Sequence, residues 1–151
     1  MKCTLEIVPG QSIGPFRLGM TMQEIEEALR SLSPEALTLD DLGVIATIPD
    51  EQTPDGENRC NKLEIRVFNN DHTVLLLGQS MNNISNSDAA RLLSTISPDV
   101  RHSYACLSVT EAGIEAIRWE HSDASIYCFF VIPPAAPCKD KPPPVFGSGA
   151  N

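Results

Sequence analysis

The chain has 151 residues, 42% of them hydrophobic and 21% charged, with a formal net charge of −9. That is the size and composition of one ordinary soluble domain, and the excess of acid argues against a nucleic-acid binder, whose phosphate-bearing partner demands clustered Lys and Arg. No apolar stretch of secretory-signal type opens the chain and no apolar run approaches the roughly 20 residues that span a bilayer, so a cytoplasmic protein without membrane contact is expected.

In chain order, an N-terminal strand is expected over 3–8, followed by "GQSIG" (10–14). This pentapeptide has the glycine spacing of a nucleophile elbow but not its strand-to-helix setting, because Pro15 and a further extended segment follow. The next segment, "LGMTMQEIEEALRSLSPE" (18–35), reads as a capped helix. Thr21 and Glu24 have capping-box spacing, Met20 can staple onto Ile25, and Ile25, Ala28, Leu29 and Leu32 form one apolar stripe. Glu26 and Arg30 can pair on the polar side, and Pro34 stops the helix. A strand at 43–48 follows. "LEIRVFNNDHTVLLL" (63–77) reads as a hairpin turning at "NNDH".

A second helix echoes the first. Ser85 lies 64 residues after Thr21, and Asp88, Ile84 and the stripe Ala89, Leu92, Leu93, Ile96 repeat the first helix at the same offset. "LSPEA" (32–36) returns as "ISPDV" (96–100). A strand at about 103–109 and a hairpin over 115–132 complete the second copy, the hairpin matching the first at an offset of 52. Ile126, Cys128, Phe130 and Ile132 are expected on one face of its last strand, with Tyr127, Phe129 and Val131 on the other. One set packs under the helices, and the second is covered by the tail or offered to a partner.

The expected fold class is therefore α+β: a tandem helix-plus-antiparallel-sheet repeat forming one continuous sheet of six to eight strands with both helices on one face. Residues 1–133 make a single domain of two pseudo-repeats (about 12–78 and 79–132), and the Pro/Gly-rich 134–151 is a tail.

The shorter offset of the hairpins means that about 12 residues are inserted in the first copy, near "PDEQTPDGENR" (49–59). From Ser31 to Asn58 there are seven acids and no Lys or Arg. An acidic turn grafted onto a repeat can steer a basic partner, or it can be a solvated loop only. Asp50, Asp55 and Glu57 lack the spacing of a calcium loop. The five cysteines contain no C-x-x-C and read as reduced, mostly buried thiols. His72, His102 and His121 lack partners at metal-ligand spacing and read as surface residues. No catalytic, metal or cofactor motif is present, and the chain is not expected to be an enzyme.

The tandem unit, with Gly19, Met20, Thr21 and Glu24 opening its helix, resembles two families: the β-lactamase inhibitor protein, and the small lipoprotein of the outer-membrane barrel-assembly machinery. "PGQSIGPFRLGMT" (9–21) is also similar to the start of small bacterial proteins that look like immunity partners of secreted polymorphic toxins. The resemblance implies a protein that works by binding another protein through a sheet and its loops. The expected function is a cytoplasmic immunity protein that sterically blocks a basic toxin or effector domain. Asp50, Glu51, Asp55, Glu57, Arg118, Tyr127 and Phe129 are the expected contacts. A small-ligand or protein-binding module, or an assembly factor like the lipoprotein, is the alternative.

Overall fold

The computed structural model describes residues 2–32, 37–118 and 125–135. Among these residues the fold is α+β, with three helices and two sheets. β1 (Thr4–Val8), β2 (Ser12–Ile13) and β3 (Phe16–Arg17) form a meander. α1 (Met22–Leu32) and α2 (Leu39–Leu42) follow, then β4 (Val44–Thr47), β5 (Lys62–Arg66), β6 (Thr73–Leu76) and β7 (Gln79–Ser80). α3 (Asn86–Ile96) leads to β8 (Arg101–His102), β9 (Cys106–Val109), β10 (Ile114–Arg118) and β11 (Ile126–Val131).

The helices form for the reasons legible in sequence. Thr21 N–H donates to Glu24 Oε1 at 2.9 Å and Glu24 N–H to Thr21 Oγ1 at 3.2 Å, closing the capping box on α1. Ile25 is buried, and Ala28, Leu29 and Leu32 pack beside it on the core. On α3, Ser85 accepts from the Asp88 N–H at 3.1 Å, but the box stays half closed. Asp88 turns to Arg91 at 2.8 Å, and Ser85 forms a β-bridge with Ser125. Glu26 and Arg30 do not meet as an ion pair. α2, which the strand-and-helix pattern did not suggest, carries its own capping box from Thr38 and Asp41 and ends on Gly43 in the left-handed region.

The expected single sheet is two sheets. The smaller runs β3-β2-β1-β6-β7 and the larger β4-β5-β11-β10-β9-β8. The difference lies at 63–77, which is not a hairpin. β5 pairs with β4 and β11, whereas β6 crosses to the smaller sheet and pairs in parallel with β1. "NNDH" serves this crossing rather than a turn. Asn70 Nδ2 holds the carbonyls of Leu42 and Arg66, and Asn82 Nδ2 holds those of Asn70 and His72. The hairpin partner of β6 is β7, across the two-residue loop Leu77-Gly78, both at positive φ as a type I′ turn requires. The 115–132 hairpin forms as β10–β11, although its tip lies outside the described residues.

In the larger sheet, register places Val44, Ile65, Phe129, Ala116 and Leu107 in one line and Leu63, Val131, Ile114 and Val109 in the next. All nine are buried, and with Ile25, Leu42, Leu93 and the smaller sheet's Leu5, Ile7 and Val74 they form one core. The opposite face carries Ile45, Glu64, Phe130 and Glu115 in line, with Arg66, Cys128 and Ile117 beside them. The expected face assignment on β11 is therefore corrected. A β-bulge pairs Ile117 with Cys128 but Arg118 with Ile126, leaving Tyr127 as the additional residue. The bulge shifts the alternation by one, so Ile126 joins Phe129 and Val131 in the core.

Candidate functional site

The residues proposed from sequence do not form one surface. Phe129 has no exposed area, so as a partner contact it is overturned: its register with Ile65 and Ala116 places it on the inner face of the larger sheet, where it fills the core. Tyr127 is half-buried at the bulge, and its carbonyl accepts from the N–H groups of Val67 and Phe68. Arg118 is an internal tie. Its Nε donates to Asn86 Oδ1 at 2.9 Å and its Nη1 to the Tyr104 carbonyl at 3.4 Å, joining β10 to α3 and to the β8–β9 turn.

The acidic residues do share a surface. Asp50, Glu51, Asp55 and Glu57 are all exposed on the loop between β4 and β5. Local chemistry folds this loop back on itself. Pro54-Asp55-Gly56 is a turn closed by Gly56 N–H to the Thr53 carbonyl at 2.9 Å, with Gly56 at φ 83°. Thr53 N–H donates to the Glu57 carbonyl at 2.9 Å, and Asp55 Oδ1 accepts from the Glu57 N–H at 3.1 Å and from the Thr53 hydroxyl.

Arg59 then fastens the loop to the body. Its Nε donates to Asp55 Oδ2 at 3.1 Å and its Nη2 to the same oxygen, while Nη1 donates to the Gly19 carbonyl at 2.9 Å. Glu24 Oε1 lies 3.7 Å from Nη1. Beside it, Gly19 N–H reaches the Cys60 carbonyl and Cys60 N–H the Met20 carbonyl, each at 2.8 Å. The opening turn of α1 and the exit of the acidic loop are one hydrogen-bonded unit.

The electrostatics follow. Arg59, Thr53 and the Glu57 N–H hold the Asp55 carboxyl down at about 2. The Thr21 N–H, helped by the Thr21 hydroxyl and Arg59, lowers Glu24. Asp55 thus anchors the loop through Arg59, while its side chain stays half exposed on the loop surface. The Asp50, Glu51 and Glu57 carboxylates make no hydrogen bond or ion pair among the described residues, although the Glu57 charge also acts on Arg59. The sequence signal for Arg59 was present: it is the first cation after the cation-free stretch and lies four residues from Asp55.

Two clefts flank the Arg59 clamp. One, of about 380 Å³, lies between Gln11, Arg17, Met20 and Glu24. The other, of about 510 Å³, lies between the acidic loop and Leu18, Pro133 and Pro134. Among the described residues no three His, Cys, Asp or Glu side chains are placed to hold a metal ion. No helix there is long and apolar enough to cross a membrane.

The histidines divide. His102 is exposed on β8, and His121 lies outside the described residues. His72 corrects expectation: only 7% exposed, it accepts the Cys3 N–H on Nδ1 at 2.9 Å. It is a structural acceptor that ties β1 to the β5–β6 crossing. Cys3, Cys60 and Cys128 are buried free thiols and Cys106 is half-buried, while Cys138 lies outside the described residues. Burial, with the Glu64 charge nearby, pushes the Cys128 thiol far up, and burial also raises Cys60.

No protein-family model, curated protein or solved structure matches this chain.

Proposed function

We propose that this chain is an immunity- or inhibitor-type protein that binds a basic toxin or effector domain in the cytoplasm and blocks it by steric occlusion. The observation that carries the reading is the clamped acidic loop. Three exposed carboxylates that make no hydrogen bond or ion pair among the described residues, Asp50, Glu51 and Glu57, stand on a loop that Asp55 and Arg59 hold against the start of α1. Carboxylates on a preorganised loop lose little entropy on docking, and their field speeds encounter with a cationic surface. The tandem-repeat reading of the chain belongs with this. Its hairpin match fails at β5–β6, but Gly10-Gln11-Ser12 and Gly78-Gln79-Ser80 each lie where a strand of the parallel pair β1–β6 gives way to the antiparallel strand that follows it, and each precedes a capped helix. On that reading the acidic loop is an insertion in one copy.

The test is co-expression with the product of the adjacent gene. A stable complex and relief of that product's toxicity are expected. If the product neither binds nor is neutralised, the proposal fails. In the complex, Asp50→Lys, Glu51→Lys and Glu57→Lys together slow association roughly tenfold or more at low salt, and the difference shrinks as ionic strength rises.

A second reading, a small-ligand module, is favoured by the clefts of about 380 and 510 Å³ beside Arg59, sizes common for ligand sites. A metabolite that raises the melting temperature in proportion to the logarithm of its concentration would support it.

A further inference from the structure

The larger cleft at the clamp combines apolar side chains with unused acceptors. Leu18, Pro49, Pro133 and Pro134 line it, together with Glu51 and Asn61. The Glu51 and Asn61 side chains make no hydrogen bond or ion pair among the described residues. Arg59 also borders the cleft, but its guanidinium is spent on Asp55 and the Gly19 carbonyl. Its charge is therefore matched within the clamp and does not cancel that of Glu51.

A group entering this cleft meets proline and leucine carbon together with a carboxylate and an amide oxygen that make no other hydrogen bond among the described residues. An anion is repelled by Glu51 and its neighbours on the loop. An apolar group would leave the carboxylate desolvated without a partner. A long side chain with an apolar stem and a cationic head fits both surfaces at once. Of the two natural choices, guanidinium is more weakly hydrated and offers planar donors to a carboxylate and to an amide oxygen of the same cleft, whereas an ammonium holds its water more tightly.

We infer that this cleft receives an arginine side chain of the basic partner, with Glu51 as its counter-ion and Leu18 and the prolines as the bed for its stem. This rests on the inhibitor reading above and names the anchor of that interface.

The test uses the full chain, isotope-labelled, titrated with the pentapeptide acetyl-Gly-Ser-Arg-Ser-Gly-amide and with the same peptide carrying citrulline, which keeps the shape and removes the charge. Saturable amide shifts confined to Leu18, Gly19, Glu51 and Asn61 are expected. Affinity should fall at least fivefold with citrulline and at least fivefold with Glu51→Gln. Asp99→Asn removes the same charge from the exposed loop after α3 and should leave affinity within twofold. Shifts that do not saturate, that scatter over the surface, or that weaken equally in Asp99→Asn overturn the inference. These outcomes concern the arginine anchor alone, since complex formation with the adjacent gene's product judges the inhibitor reading separately.

Discussion

Single residues in this protein owe their roles to what touches them. Asp55 and Glu57 are two positions apart on one loop, yet one is spent on Arg59 and the other faces water. Because Arg59, Thr53 and the Glu57 N–H hold Asp55 at about 2, below the ordinary carboxylate value near 3.9, the clamp's stabilisation is complete above about pH 4. It is lost as pH falls through about 2. A carbon-detected titration of Asp55 should show a midpoint near 2, moving back toward about 4 in Arg59→Gln. His72→Ala should cost about 1–3 kcal/mol by chemical denaturation, because the buried Cys3 N–H then lacks its acceptor. The thiols sort by burial: native alkylation at pH 8 should label half-buried Cys106 well before Cys3, Cys60 and Cys128.

Among the elements, the helices needed only local chemistry, and the strands needed partners. Thr21→Ala removes the acceptor of the Glu24 N–H and should cost about 1 kcal/mol, measured as a shift in the denaturant midpoint. The β6–β7 turn holds Leu77 at φ 52°, a conformation suited to Asn or Gly, while its side chain is half exposed. Leu77→Asn should therefore raise stability by about 0.5–1 kcal/mol. Gly113 is the reverse case. It sits at φ 75°, and an added Cβ would meet the Ile132 carbonyl oxygen at 2.2 Å and Gly10 Cα at 2.7 Å. Gly113→Ala should cost about 2–4 kcal/mol, since left-handed strain and overpacking add.

At the scale of the whole molecule, the two sheets and three helices of the described residues share one core, and the clamp joins the β4–β5 loop to the start of α1 beside Pro133 and Pro134. The α1 capping box, the apolar stripes of α1 and α3, the strands at 4–8, 44–47 and 106–109, the β10–β11 pairing and the acidic turn were legible in the sequence, whereas α2 and its capping box were not. Each is written in neighbours within a few residues, as Thr21 with Glu24 or Pro54 with Gly56. Three things were decided only by the tertiary structure. The path of β6 depends on a parallel pairing with β1, some 70 residues away in the chain, which alternation alone cannot distinguish from a hairpin with β5. The inward facing of Phe129 depends on the register of β11 between β10 and β5, and that of Ile126 on the bulge that leaves Tyr127 as the additional residue. The division of the acidic loop into anchor and free charge depends on a guanidinium held by the Gly19 carbonyl, 40 residues from Arg59. Local backbone preference is set by adjacent residues, whereas strand partners and counter-ions are chosen by the whole folded chain.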